Sequence, residues 1–573
     1  MGEKGVQMRE EDLACRTDIL IVGGGGAGIR AAITAARGGC QVIVANKGPI
    51  GRSGTTPMAM EAFQSVCIPG DSAELHFQDT VEGGRYLGDE NLITALVRDA
   101  PKRARDLESY GVHFKKKDDG SYDPMHHPGQ RLPRTLFTLG GGFGMLSGLV
   151  HEARRYPEIQ MWSDVFVFKL CWNHEGYPSG AIYLDIRDGK VKTIHCRAII
   201  LATGGYEELW SFSDASIHSC GDGIILAYES GAELVDLEML QYYPTIVIYP
   251  PSIQGTLFQY ELVVDPQILG GRLLNGLGKP FIEGIPLRDA LIRAIWQEVQ
   301  MGRGTEHGGV FMELTHSSKN REALTAALEK WQPNQFHYMK DMGIDLREVR
   351  IEVAPHAHFT LGGVTIDEKA RTTVPGLFAA GEVAGNLHGA NRVSGNALAE
   401  TQVFGAIAGE SAAAFARDTK NNDPAEMAGE TEKAKTLLQG WGMQRDGSLR
   451  PRQVIQQLKE IMWRCCGVER DEEGVRRGIA EIEILSRDDV PRIAGEAGKA
   501  YPQGIVEGLE LTMMARLAPL VLASAAFRRE SRGNHMRKDF PSSAKEAKHI
   551  VIRRGEEPME RNVKREDSTP WGK

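Results

Sequence analysis

The chain has 573 residues, more than one ordinary domain holds, and length alone predicts about two to four domains. A 42% hydrophobic content can fill sizeable cores, and 66 glycines suit a nucleotide-binding α/β protein with many tight turns. The net charge of -9 argues against non-specific binding to nucleic acid or to an anionic membrane surface.

Residues 1–17 form a polar lead without the apolar core of a signal peptide, so a cytoplasmic protein is expected. An apolar run, Ile19 to Val22, then enters Gly23, Gly25, Gly26, Ala27 and Gly28; an alanine-rich helix follows, and Gln41 to Ala45 forms a second strand ending at Asn46 and Lys47. This pattern is a cradle for a dinucleotide. Its first glycine permits a tight turn and its second lets the backbone approach a pyrophosphate. The third allows close packing of helix on strand, with the anion at the helix N-terminus. A second glycine motif follows the strand Ala198 to Ala202, at Thr203, Gly204 and Gly205, with Asp222 shortly after it. A third follows Leu377 to Ala380, at Gly381 and Glu382, before a small-residue helix that contains Asn396, Ala397 and Leu398. Nicotinamide dinucleotides need only the first motif. Three separated motifs favour FAD, whose isoalloxazine end requires strands that return to it.

Between the second and third motifs, "YPTIVIYPPSIQ" reads as β-rich, and "PLRDALIRAIWQEVQ" and "NREALTAALEKW" read as helices. From about 425 to 530 amphipathic helical periodicity dominates, and the longest apolar run, Leu517 to Phe527, is too short to cross a bilayer. Residues 531–573 are strongly charged and predict an extended tail or partner-binding arm. Eight cysteines include no C-x-x-C pair, so neither an iron–sulfur cluster nor another metal is expected in the chain. The adjacent Cys465 and Cys466 lie in a helical stretch, where a disulfide would be strained.

An ordered series of motifs, "GGGGAGIRAA", "GRSGTT", "HFQDTVEGGRYLGDENLI", "ILATGGY", "CGDGIILAYESGAELVDLEMLQYYPT", "PLRDALIRAI", "HAHFTLGGVTID", "GLFAAGEVAGNLHGANRVSGNAL" and "RRESRGNHMRKDF", resembles the flavoprotein subunits of succinate dehydrogenase and fumarate reductase, with L-aspartate oxidase. The resemblance runs from about Asp18 to about Arg554. It implies an α/β fold: a two-part Rossmann-like FAD-binding domain at 18–245 and 345–415, an inserted α+β capping domain at 246–344, and a helical domain at 425–530. By the same resemblance Arg288 protonates substrate, His358 and Arg392 grip a substrate carboxylate, Glu382 holds the FAD ribose, and Asn396 to Leu398 run over the flavin ring. A guanidinium fork suits a planar carboxylate better than an ammonium does. His356, two residues before His358 and on the same face of an extended segment, ranks second.

Three departures matter. Where the family reads Gln-Phe-His-Pro-Thr, this chain reads Gln241, Tyr242, Tyr243, Pro244, Thr245, so a histidine for the second carboxylate has become Tyr243, an uncharged donor. The next motif, with its acidic and arginine members, survives only as "ELVVDPQILGGRLLN", leaving Glu261 or Asp265 for proton relay. The histidine that carries FAD covalently in respiratory succinate dehydrogenases corresponds to Gly54 within Arg52, Ser53, Gly54, Thr55, which predicts non-covalent FAD. The expected activity interconverts a carboxylated alkene and alkane by hydride transfer at flavin N5. Fumarate turnover is expected to be poor and a substrate with one free carboxylate favoured. The expected partner is an iron–sulfur subunit in a hetero-oligomer, membrane-associated only through other subunits. Two alternatives stand beside it: a flavin relay subunit with a degenerate substrate pocket, and an adenylylsulfate-reductase-like enzyme.

Overall fold

The computed structural model describes residues 15–60, 63–419, 427–442, 448–495 and 499–565. Five short parallel strands form the central sheet, in the order Leu377–Ala379, Ala198–Leu201, Ile19–Val22, Val42–Ala45, Ile159–Trp162. The first four are buried throughout, which explains why they read as unbroken apolar runs rather than as alternating ones. Helix Gly26–Arg37 packs against helix Asn396–Asp418, which starts directly after the third glycine motif. The small residues have a steric reason: a Cβ at Gly405 would stand 2.7 Å from the Ala27 carbonyl oxygen, and one at Gly409 2.5 Å from that of Ala31. Three motifs far apart in sequence therefore converge at the carboxyl ends of adjacent strands, where open α/β sheets bind ligands.

The inserted region builds a four-stranded antiparallel sheet in the order Leu240–Tyr249, Ile351–Thr360, Val310–Glu313, Arg272–Leu274. It has its own core around Val247, Phe258, Tyr260, Leu291, Ile295 and Val353. Two of these strands run beyond the edges expected at 246 and 344. The stretches carrying Tyr243 and His358 thus sit where capping sheet and nucleotide sheet meet.

The helical region supplies Pro451–Cys466, Glu472–Ile484 and Gln503–Phe527, which pack on one another. No helix of the described residues is long and apolar enough to cross a membrane. Cys465 and Cys466 are free and buried, and the backbone of Cys466 accepts the Trp210 indole N–H at 2.8 Å.

Two expectations need correction. Cys15 and Arg16, assigned to the polar lead, pair with Ile194 and His195 as a sheet edge, and the Thr17 N–H donates to the His195 carbonyl at 3.0 Å; residues 1–14 of that lead lie outside the described residues. The charged C-terminal segment is not an extended arm over 531–565. Strand Lys548–Ile552 pairs with Leu234–Val235 and with Met559–Asn562. Part of its charge is paired internally. Just before the segment, Arg528 is buried against Asp236, Glu238 and Glu530; within it, Arg532 is buried against Glu530, and His549, fully buried, bridges Asp236 and Asp89. The paired carboxylates hold the His549 imidazole protonated, pushing its pKa up to about 9 against the effect of burial. Residues 566–573 lie outside the described part.

Candidate active site

A cavity of about 410 Å³ runs from the first glycine turn to the edge of the capping sheet. At one end Gly23, with φ of +113°, lies so close to the Ala202 carbonyl oxygen that no side chain fits. Gly28 closes on the Gly23 oxygen in the same way, and it packs helix on strand without lining the cavity. The turn is fixed from outside: Gly24 N–H donates to Asn46 Oδ1 at 2.8 Å and Gly26 N–H to Thr56 Oγ1 at 3.1 Å. Lys47 lines the cavity, but its ammonium is committed to Glu510 at 2.7 Å and Asp222 at 3.6 Å. Burial raises the Asp222 pKa in spite of that cation.

The other candidates divide clearly. Gly25, Gly26, Ala27, Asn46, Ser53, Gly54, Thr55, Thr203, Gly204, Asp222, Glu382, Ala397 and Leu398 line the cavity. Gly205 does not; it stands behind the wall against Thr360 and Glu207. Asn396 does not either: its buried amide meets His76 Nε2 at 2.9 Å and donates to Thr80 Oγ1 at 3.1 Å.

The residues present fit FAD. A turn stripped of side chains abuts a helix N-terminus, which suits a pyrophosphate. Two buried cavity oxygens, Thr203 Oγ1 and Asp222 Oδ1, have no hydrogen-bond partner in the protein, as polar contacts to a bound dinucleotide would require.

Arg288, Tyr243, His358 and Arg392 all line the capping end of the cavity. Arg288 is the first residue of helix Arg288–Gln300 and is 7% exposed. Its guanidinium donates to Ser394 Oγ at 2.6 Å, lies 3.5 Å from Glu261 and sits 4.7 Å above the Tyr243 ring. It is not spent on its neighbour Asp289, which Arg85 holds in a two-pronged ion pair. Tyr243 donates its hydroxyl to Glu261 Oε2 at 3.2 Å, so a tyrosine and an arginine share one buried carboxylate. His127, fully buried, adds an imidazole within electrostatic reach of Glu261 and Arg288, and burial pushes its pKa down to about 4.

His358 donates from Nδ1 to Asp214 Oδ2 at 2.9 Å, which leaves Nε2 for a ligand. Desolvation lowers its pKa, and the charges of Arg288 and Arg392 lower it further, while Asp214 opposes them. Arg392 stacks 4.6 Å over the Phe359 ring, which fixes the plane of its guanidinium fork at the cavity. His356 lies on the same strand but turns into the protein, with its ring 5.4 Å from Phe212. Asp214, at this cavity, carries no signal in the sequence: a lone aspartate has no local pattern, and it meets its histidine across 144 residues of chain. Ser394 stands inside the motif "GLFAAGEVAGNLHGANRVSGNAL", but its partner Arg288 lies 106 residues away.

Comparison with known proteins identifies the family. The FAD binding domain family matches residues 18–398, and the fumarate reductase flavoprotein C-terminal family matches 455–569. One subunit of the fumarate reductase (CoM/CoB) of Methanothermobacter marburgensis is 36% identical, over 95% of this chain and 98% of that protein. The fumarate reductase flavoprotein subunit of Proteus vulgaris is 30% identical over 91% and 89%. A mutant of the Escherichia coli quinol fumarate reductase flavoprotein superposes with a TM-score of 0.87 at 28% identity, covering 98% of both chains. Adenylylsulfate reductase of Archaeoglobus fulgidus shares the fold with a TM-score of 0.79 at 19% identity. With both family domains in order and relatives aligned end to end, the chain belongs to the fumarate reductase/succinate dehydrogenase flavoprotein family and is an FAD-dependent oxidoreductase.

Proposed function

We propose that the protein reduces the carbon–carbon double bond of a small fumarate-type carboxylate, with electrons supplied by an iron–sulfur partner subunit. The carrying observation is that Arg288, His358 and Arg392 reach one cavity, with Glu261 behind Arg288. Bound FAD supplies a hydride at N5. Arg392 forks one substrate carboxylate, and His358, oriented by Asp214, donates from Nε2 to the same group in its protonated form. Arg288 delivers the proton to the other alkene carbon. Its proton is replaced through Glu261, an acid that both Arg288 and Tyr243 touch. A guanidinium gives up a proton only in a site shielded from water, and Arg288 at 7% exposure meets that condition.

Tyr243 sets the substrate range. It places a neutral phenol where a cationic partner for a second carboxylate would stand, and that hydroxyl is already engaged with Glu261. The Methanothermobacter relative, a fumarate reductase, supports fumarate as one substrate. A second carboxylate is therefore accepted but weakly rewarded.

The test uses anaerobically reduced protein and follows flavin reoxidation by fumarate and by fumaramate, its monoamide. A neutral hydrogen bond is worth about 1 kcal/mol, so fumaramate is expected within roughly tenfold of fumarate. Discrimination beyond about 100-fold would show an intact second cationic clamp. No reoxidation by any alkene carboxylate would favour a relay subunit instead.

A further inference from the structure

Behind the cavity wall two carboxyl groups meet at one donor. Glu207 begins a single helical turn after the second glycine motif and is fully buried. Glu382 follows the third motif, lines the cavity and is 9% exposed. The backbone N–H of Thr360 donates to both, at 2.9 Å to Glu207 Oε1 and 3.1 Å to Glu382 Oε1. The second oxygen of Glu207, Oε2, is buried and receives no hydrogen bond from the protein. Two ionised carboxylates around one N–H would repel each other and leave that oxygen stranded. A proton on it removes the repulsion and turns the orphan acceptor into a donor toward Glu382.

The surrounding charges point the same way. Arg392 is the cation that acts on Glu382. Glu400, on helix Asn396–Asp418, adds a further negative group and is itself held by His388 at 2.8 Å. Tyr206, beside Glu207, spends its hydroxyl on the Leu237 carbonyl. On the Thr360 strand, the nearest titratable group is His358, tied to Asp214. Around Glu382 the Arg392 cation is thus set against the neighbouring acids Glu207 and Glu400.

We propose that Glu207 and Glu382 form a proton-binding site in which one proton, carried on Glu207 and hydrogen-bonded to Glu382, is held through neutral pH, so that the pair presents a single negative charge to the flavin. Burial, reinforced by the neighbouring carboxyl, raises the Glu207 pKa well above the ordinary carboxylate range. Glu382 is raised as well, with Arg392 opposing the shift. The site depends on no particular organic substrate, so it stands apart from the choice of alkene. Its effect is to spare the flavin a second adjacent negative charge that would disfavour electron uptake.

Infrared spectroscopy of the oxidised holoenzyme at neutral pH tests the assignment. The expected result is a C=O band of an un-ionised carboxyl group that shifts in D₂O, disappears in Glu207→Gln, and moves or disappears in Glu382→Gln when its hydrogen-bond partner changes. A band that survives both variants, or that vanishes in Glu400→Gln instead, overturns the proposal, as does the absence of any such band in the unmutated protein. The flavin potential provides an independent readout. Glu207→Gln replaces an uncharged acid by an uncharged amide, so the ratio of reduced to oxidised flavin at fixed potential should change less than threefold, about 15 mV for two electrons. A tenfold or larger change, about 30 mV, would mean that the substitution removed a negative charge, and would also overturn it.

Discussion

Replacing Arg288 with glutamine separates chemistry from packing, because the guanidinium has two tasks in the structure. As proton donor it faces the substrate end of the cavity; as a buried cation it lies 3.5 Å from Glu261, whose side chain is 5% exposed. Loss of a general acid typically costs about 100-fold to 10,000-fold in turnover. Loss of the cation leaves a buried carboxylate without its ion-pair partner, which generally destabilises by about 3–5 kcal/mol. The Tyr243 hydroxyl stays on Glu261 and relieves part of this cost. Arg288→Gln should therefore keep FAD, show a lower unfolding midpoint, and lose at least about 100-fold in turnover of the best alkene acceptor. The double variant Arg288→Gln/Glu261→Gln removes both charges and should regain most of the stability without regaining activity. Steady-state turnover, the flavin spectrum and denaturant unfolding on all three proteins provide the comparison. If Arg288→Gln keeps turnover within a few-fold, or the double variant restores it, Arg288 is a structural cation and not the acid.

Gly54 lines the cavity and has no side chain to bond the flavin, so acid precipitation should release all of the yellow chromophore; flavin left in the washed pellet would implicate another cavity residue such as His218. The lowered pKa of His358 makes its imidazole neutral at pH 7, so Nε2 donates to a carboxylate only after protonation. KM should consequently rise with pH above the His358 titration, and His358→Gln, a permanent donor, should flatten that dependence; an unchanged slope refutes the role. His549 has a folded pKa of about 9, above the ordinary 6.5. Its contribution is fully present below about 6.5 and lost as pH rises through 9. The urea midpoint of the unmutated protein should therefore fall between pH 7 and 10 more steeply than that of His549→Gln, and equal slopes would rule this out.

Features settled by neighbouring residues were legible in the sequence. The cradle from Ile19 to Gly28 is local: a buried strand, a turn without room for side chains and a helix start follow one another, and each residue type answers to its own backbone position. The order of the three glycine motifs identified a flavin dinucleotide, and the motif series pointed to Arg288, His358 and Arg392, which the fold brings to one cavity. Single positions around those motifs were less reliable. Gly205 and Asn396 share their motifs with cavity residues but face the other way, since adjacent residues in a turn or helix start point in different directions.

Tertiary structure alone decided the pairings. Asp214 orients His358 across 144 residues, and Ser394 meets Arg288 across 106. Glu207 and Glu382 share the Thr360 N–H because two strand ends and the capping sheet converge there. The charged C-terminal segment shows the same limit. Its composition reads as solvated chain, yet Arg532 and His549 are buried, because acids at 530, 236 and 89 wait inside the fold to neutralise them. A charge is soluble or buried according to whether a partner of opposite sign is already held in place, and that placement is a property of the packed molecule rather than of any stretch of its sequence.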